Sequence, residues 1–434
     1  MFHIAPHLFF LLEIFCILLV TVVFLNLTFF TVLSTVGLLK PKRDYEISKD
    51  KNKFLFLIPA HNEEDVIAST IESILKQNYD PSLFDVVVIA DNCTDKTIQV
   101  VGQYEKAYCF INTSKPNEPR GKPHAIKKFI DTGFWKKYNY IAFIDADNIV
   151  DKNYLREMNS QLVFRPELTV VQGYLGIKNI ATSMIASGYA AVYFITNRAV
   201  QYANYRLGWN AAIGGTGFVL QTSYLEENGW NPRSYTEDFE LQVELSLQNK
   251  KSGWNHFAVV YDEKPNALIA SHNQRTRWAQ GHWFVAFTTT LKQLKSIVKS
   301  ESLVECLSKI ETLLYSYSMV RPIAFIIIIL LSLLDKRFLM YLPELFSLLL
   351  FWLFVEVLNF LIVPTVYFMQ EAKDYFAQKE TLSSKIILYF RLVIGFILNS
   401  ITYMAAQVVG FFTWFKPQNN WKKTVHSATF DGEK

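Results

Sequence analysis

The stretch Tyr140-Ile141-Ala142-Phe143-Ile144-Asp145-Ala146-Asp147-Asn148 decides how this chain is read. Five apolar residues in a row stop at a carboxylate, and a second carboxylate follows two positions on. A short apolar run bounded by turn formers suits a strand buried on both faces of a sheet. Asp and Asn favour turns in any case, so a capped turn explains the acidic segment by itself. Its place directly after a fully apolar strand favours a site. Ligands of open α/β sheets bind outside the carboxyl ends of the strands. There, Mg²⁺ or Mn²⁺ takes one or two carboxylates and completes its shell with phosphate oxygens and water.

The same signature recurs on either side. Phe54-Leu55-Phe56-Leu57-Ile58 ends at Pro59-Ala60 and then His61-Asn62-Glu63-Glu64. Val86-Val87-Val88-Ile89-Ala90 ends at Asp91-Asn92-Cys93-Thr94-Asp95, and Leu168-Thr169-Val170-Val171 stops near Gln172. Helical patterns near 64–77, 94–106 and 122–134 separate these runs. Strand and helix in alternation predict an α/β domain with a mostly parallel sheet and right-handed crossovers. Three acidic loops on one rim predict a site that handles a cation together with an anionic ligand.

Each remaining motif has a plain reading beside the functional one. Thr94 or Asp95 caps the following helix, which leaves Asp91, at the strand end, as the binding candidate. Glu63, Glu64 and Asp65 suit a first helical turn. Gly121-Lys122 opens a helix and suits phosphate, through backbone N–H groups and a point charge. It lacks the upstream glycine and the Ser/Thr of a P-loop, and a solvent-exposed lysine is the default. Gly214-Gly215-Thr216-Gly217 is either a turn or a close backbone approach to a ligand. Thr236-Glu237-Asp238 opens a helix over roughly 238–249, where acids stabilise without chemistry. A base that deprotonates an acceptor hydroxyl nevertheless needs a carboxylate so placed. In Gln274-Arg275-Thr276-Arg277-Trp278, Arg and Trp serve as interfacial anchors, or Arg277 meets a diphosphate while Trp278 stacks on a sugar.

Composition frames these motifs. Of 434 residues, 51% are hydrophobic, 35 are Phe, and 19% are charged, against about 25% in an average soluble domain. Disorder, collagen-like structure and a small disulfide scaffold are excluded. The four cysteines lie too far apart for a metal or redox motif. A net charge of +4 with no dense basic run argues against nucleic acid. Residues 8–39 carry one charge, Glu13, and exceed the roughly 20 residues that a span needs. Lys40-Pro41-Lys42-Arg43 then marks that end as cytoplasmic. Apolar stretches at 314–334, 345–369 and 385–415 predict further spans. The expected organisation is a transmembrane helix at 1–43, a cytoplasmic domain at 44–272 and amphipathic interface helices at 273–312. About three transmembrane helices at 313–415 and a short tail at 416–434 complete it. With three later spans the tail lies outside, whereas Lys416, Lys422 and Lys423 favour the inside.

In order and within this frame, Asp91, Asp145-x-Asp147, Thr236-Glu237-Asp238 and Gln274-x-x-Arg277-Trp278 resemble the membrane-embedded family-2 glycosyltransferases. These include cellulose, chitin, hyaluronan and poly-N-acetylglucosamine synthases. The resemblance covers about residues 54–284 and implies a GT-A-like, nucleotide-sugar-binding domain inserted between N- and C-terminal transmembrane helices. By resemblance, Pro59, Asn62 and Glu63 form the opening nucleotide loop, Asp91 contacts the uracil of a UDP-sugar, and Lys122 lies near the nucleotide. Asp145 and Asp147 hold Mg²⁺ or Mn²⁺ and the diphosphate, with Asp147 the direct ligand. Asp238, beside Glu237, is the general base. Gly215 and Thr216 line the acceptor side, and Gln274, Arg277 and Trp278 bind diphosphate and acceptor sugar. Trp421-Lys422-Lys423-Thr424 resembles a tail motif of these synthases, with His426 where an arginine is expected. The implied activity is inverting, processive synthesis of a β-linked polysaccharide by a multi-pass plasma-membrane enzyme, which extrudes its product through the bilayer. A homo-oligomer is compatible with it. The alternative is single addition to a membrane lipid, as in ceramide glucosyltransferase-like enzymes. Glu356, Asn359 and Asn399 are polar residues within predicted spans, and such residues mark pathways.

Overall fold

The computed structural model describes residues 5–115, 118–317, 320–340 and 357–416. Helix α1 (Pro6–Gly37) comes first. The hydroxyls of Thr21, Thr28, Thr31 and Thr35 all turn back onto the carbonyl four residues earlier, so an apolar surface surrounds satisfied polar groups. The chain then runs β1 (Phe54–Ala60), α2 (Ile67–Leu75), β2 (Phe84–Asp91), α3 (Thr97–Val101), β3 (Ala107–Asn112), α4 (Lys122–Ile130) and β4 (Tyr140–Phe143). Next come β5 (Ile149–Val150), α5 (Tyr154–Phe164), β6 (Leu168–Ile177), α6 (Met184–Ile195), a π-helical segment at Thr196–Tyr202 and α7 (Ala203–Arg206). After these lie β7 (Phe218–Gln221), α8 (Thr222–Asn228), α9 (Glu237–Leu247), β8 (Lys251–Asp262) and α10 (Leu268–Val298). Helices α11 (Leu303–Ser316), α12 (Val320–Leu334), α13 (Val363–Glu371), α14 (Lys373–Ala377) and α15 (Leu382–Thr413) follow.

The strands form one eight-stranded sheet in the order β3-β2-β1-β4-β7-β6-β8-β5. It is mixed, with the expected parallel majority: six strands run one way, and β7 and β5 run against them. β1 pairs parallel with β2 and β4, β2 with β3, and β6 with β8. β7 runs antiparallel to both β4 and β6, and β5 antiparallel to β8. Reversing β7 has a functional consequence. Its first residue, Phe218, pairs with the last of β4, Phe143. The loop that enters β7 therefore lies on the rim where β1, β4, β6 and β8 end.

Alternate side chains of a strand face opposite sides, and β1 shows why both its faces are apolar. Phe54, Phe56 and Ile58 join a core with Ile67, Ile71 and Ile74 of α2. Leu55 and Leu57 join another with Ala125, Ile126 and Phe129 of α4.

Of the four expected spans, two correspond to helices long and apolar enough to cross a membrane, α1 and α15, each 32 residues. Among the described residues the 314–334 stretch falls on the end of α11 and on α12. The 345–369 stretch lies partly outside the described residues, as do Glu356, the side chain of Asn359 and the tail motif from Trp421 to His426. Helix α10 (Leu268–Val298) and α11 cover the expected interface segment at 273–312.

Both apolar helices are fastened to the sheet domain. The Arg198 guanidinium donates to the carbonyls of Gly37 and Leu39, at 2.9 Å each, and pairs with Glu371 at 2.5 Å. A cation thus meets the free carbonyls that end α1. Helix α15 crosses α6 at Gly188 and Gly395, where a Cβ on Gly188 would lie 2.3 Å from the Gly395 carbonyl oxygen. Small residues allow such backbone contact. Replacing Gly188 with Leu is expected to destabilise the fold by about 1–3 kcal/mol, the range for overpacking, read as a lower midpoint in thermal unfolding of the detergent-solubilised protein. An unchanged midpoint would mean that α6 and α15 do not touch.

Candidate active site

At this rim lies a cleft of about 1070 Å³. Every site residue expected from the sequence lines it: Pro59, Asn62, Glu63, Asp91, Lys122, Asp145, Asp147, Gly215, Thr216, Glu237, Asp238, Gln274, Arg277 and Trp278.

The loops after β1 and β2 brace each other. Asn62 and Asn92 adopt positive φ, 59° and 52°, which Asn tolerates. The Thr94 N–H donates to Asn62 Oδ1 at 2.7 Å. Asp91 Oδ1 accepts from the amides of Asn92 (2.7 Å) and Asn112 (2.6 Å). Asp95 keeps the plain role, accepting from the N–H and hydroxyl of Thr97 at the start of α3.

Lys122 is not the solvated lysine of the default reading. Its side chain is 16% exposed, and its ammonium sits 2.6 Å from Asp145 Oδ1 and 3.8 Å from Glu237 Oε1. It also donates to the Gly215 carbonyl at 2.7 Å. Burial opposes its charge, yet Asp145, Glu237 and Asp238 hold its pKa above the ordinary lysine value.

A hydrogen-bond chain fixes the acidic loop. The Asp145 N–H donates to Thr216 Oγ1 (3.0 Å), whose hydroxyl donates to Asn148 Oδ1 (2.6 Å). The Asn148 amide donates to Asp147 Oδ1 (3.0 Å) and to Asp262 Oδ1 (3.2 Å). Asp262 in turn pairs with Lys264. Burial, then Asp262 and Asp145, push the Asp147 carboxyl well above its usual range. Among the described residues no group of three or more His, Cys, Asp or Glu is placed to cage a metal. Two hard oxygen donors on one loop, crowded by like charge, do fit a divalent cation that takes its other ligands from phosphate and water.

Opposite lies the start of α9. Burial raises both Glu237 and Asp238, Asp238 to about 6, with Lys122 pulling the other way. Asp238 Oδ1 accepts the Phe239 N–H at 2.9 Å. Gly215 has a φ of +76°, and a Cβ there would lie 3.1 Å from Asp238 Oδ2.

The far wall is α10. Gln274 Oε1 accepts from the Tyr189 hydroxyl (3.1 Å), and Trp278 meets the Tyr189 ring edge-on at 6.4 Å and 89°. Burial lowers the pKa of Arg277, which faces Tyr235 and Tyr189.

The cleft also holds residues that the sequence reading missed, among them Asp262, Lys264, Tyr189, Arg275 and Tyr403. Asp262 carried the signal, since it follows the apolar run Ala258-Val259-Val260-Tyr261 as Asp145 follows its own. Tyr189, Arg275 and Tyr403 lie on helices and Lys264 on the loop after β8, and none of them carried a signal.

The family described as "Glycosyltransferase like family 2" matches residues 52–281. The chain belongs to this family. It is 27% identical over 245 residues to the probable glycosyltransferase YdaM of Bacillus subtilis, covering 55% of this chain and 57% of that one. It is 26% identical over 227 residues to a poly-beta-1,6-N-acetyl-D-glucosamine synthase of Staphylococcus aureus, covering 52% and 53%. The chain thus spans about half the length of the curated relatives it matches. The mannosyltransferase PcManGT from Pyrobaculum calidifontis, solved in complex with GDP-Man and Mn²⁺, superposes with a TM-score of 0.50 at 16% identity, covering 90% of this chain and 99% of that one. The two share a fold, and the GT-A-like architecture is present with a mixed sheet.

Gly215→Ala is expected to cost about 1–2 kcal/mol, from the left-handed backbone, and to cut sugar transfer at least about tenfold by displacing Asp238. Thermal unfolding and product formation, measured on the same preparation, check the two effects. Full activity in the variant would show that Asp238 has no fixed position against this turn.

Proposed function

We propose that this chain transfers a sugar from a UDP-sugar, with inversion, to a growing β-linked polysaccharide at the membrane. The observation that carries this reading is one cleft that unites the Asp145/Asp147 pair, Lys122 and the buried Asp238. Its walls include Phe30 of α1 and Asn399 and Tyr403 of α15. The name of the Staphylococcus relative supports a polymer product.

In this reading Asn62 and Asp91 hold the base of the nucleotide. Asp145 and Asp147 hold Mg²⁺ or Mn²⁺, and Lys122 adds a point charge beside the diphosphate. Once bound there, a divalent cation supplies positive charge for the departing UDP. Gln274 and Arg277 orient the diphosphate, while Trp278 and Tyr189 offer aromatic surfaces to the acceptor sugar. Asp238 takes the proton of the acceptor hydroxyl as that oxygen bonds to C1 and the bond from C1 to the diphosphate breaks. Attack on the opposite face turns an α-linked donor into a β-linked product. A raised pKa makes Asp238 a stronger base than an ordinary carboxylate while leaving it ionised at neutral pH. The sheet domain lies on the cytoplasmic side, and the product passes between the apolar helices. The second reading is single addition to a membrane lipid, which the same apolar walls also favour.

The test uses membranes carrying the protein, Mg²⁺ or Mn²⁺, and a panel of radiolabelled UDP-sugars with GDP-mannose alongside. Label is expected in a size-exclusion void, and Asp238→Asn is expected to lower it about 10²- to 10⁴-fold. Label in organic solvent would establish the lipid product, and no Asp238-dependent transfer from any donor would sink the reading. Chelation by EDTA is expected to abolish transfer and added Mn²⁺ to restore it; activity indifferent to EDTA would remove the metal. Because the base must be ionised, activity is expected to fall about tenfold per pH unit below about 6 and to level off above it. A profile flat down to pH 5 would exclude Asp238 as the base.

A further inference from the structure

Arg275 lies inside the Gln274-to-Trp278 segment but serves another face of α10. It is 2% exposed. Its Nη1 donates to the Asn399 carbonyl (3.0 Å) and to Thr402 Oγ1 (2.7 Å), both on α15. Its guanidinium carbon lies 4.2 Å from the centroid of the Tyr189 ring and 5.8 Å from that of Tyr403. Its other nitrogen, Nη2, is buried and makes no hydrogen bond among the described residues, and neither does Asn399 Oδ1. Arg275, Asn399, Tyr189 and Tyr403 all line the cleft. Among the described residues Arg275 forms no ion pair.

A buried guanidinium without a counter-charge is costly. Two neutral acceptors and two aromatic faces offset part of that cost. A phosphate oxygen on Nη2 would offset the rest, and Asn399 and Tyr403 line the same cleft. In the proposed reading the donor diphosphate has partners at the sheet rim and in Gln274 and Arg277, whereas Arg275 turns to Tyr189 of α6 and to α15. α15 is also one of the two helices apolar enough to cross a membrane.

We propose that Arg275, with Asn399 and Tyr403, holds a phosphate carried by a membrane-borne acceptor, whose sugar hydroxyl is presented to Asp238. The inference rests on the transferase reading of the cleft and deepens it. Because the phosphate lies beside the accepting sugar, the site serves the first addition to a lipid-borne sugar phosphate. The bonds made and broken are those already described, and the phosphate stays intact.

The test compares two synthetic acceptors, N-acetylglucosamine joined to a decyl chain through phosphate and the neutral decyl β-glycoside. Both are offered with UDP-N-acetylglucosamine and the remaining panel donors, to the full chain in phosphatidylcholine nanodiscs. The wild type is expected to favour the phosphate-bearing acceptor at least about tenfold in kcat/KM, the scale of one charge-assisted hydrogen bond. Arg275→Gln is expected to erase the preference and Arg275→Lys to restore part of it. A purely structural Arg275 would change stability and leave the preference untouched. Because the wild-type comparison needs no variant, a misfolded mutant does not decide the matter. Decyl phosphate is expected to compete far better than sodium phosphate; equal competition would overturn the lipid-borne source. Equal kcat/KM for the two acceptors, or a preference that survives in Arg275→Gln, would overturn the proposal. No transfer to either acceptor from any donor would overturn the transferase reading itself.

Discussion

One buried ammonium organises the site. Lys122 reaches from the start of α4 to Asp145 after β4, to the carbonyl of Gly215 before β7, and toward Glu237 at the start of α9. These groups are far apart in sequence and lie on separate loops. Without the cation the loops would present carboxylates to one another across a buried gap, and the cost of desolvating like charges would push them apart. With it, the acidic loop, the glycine turn and the helix bearing Asp238 share one reference point.

The charge balance around that point fits the proposed chemistry. Lys122 and Lys264 each pair with a carboxylate of the rim, and Asp147 and Asp238 face the same cleft. Burial raises both of these acids, as expected where negative charge exceeds positive in a poorly solvated space. A divalent cation and its diphosphate enter such a place as a nearly neutral unit. In the proposed reaction the excess of acid on the cleft walls suits a metal, while the glycine turn fixes Asp238, the proposed base.

Much of this was legible in the sequence, for a physical reason. A strand covered on both faces must be apolar throughout, so the point where it meets solvent is abrupt, and Asp91 and Asp145 stand at such points. Strand β3 was missed because it lies at the sheet edge, with Tyr108 and Ile111 exposed, and its run is less uniform. Strand β7 has only four residues behind a glycine run, too few to be read as a strand, so the reversal that makes the sheet mixed stayed hidden. The burial of Lys122 could not be read, because nothing local distinguishes a lysine that will meet three other loops from one that meets water. Hydropathy located α1 and α15, because a long uninterrupted apolar run is a signal that needs no tertiary partner.

The position of α15 in the cleft wall has a consequence for biosynthesis. A ribosome delivers the strands and the acidic loops first, and the chain from Leu382 to Thr413 long afterwards. Until that helix docks its Gly395 on Gly188, the wall that Asn399 and Tyr403 provide is missing. The carboxylates of the rim are therefore translated well before the cleft wall that α15 provides. Domains fold as units during synthesis, and here the order of emergence delays a complete enzyme until its last described helix is seated beside the sheet domain.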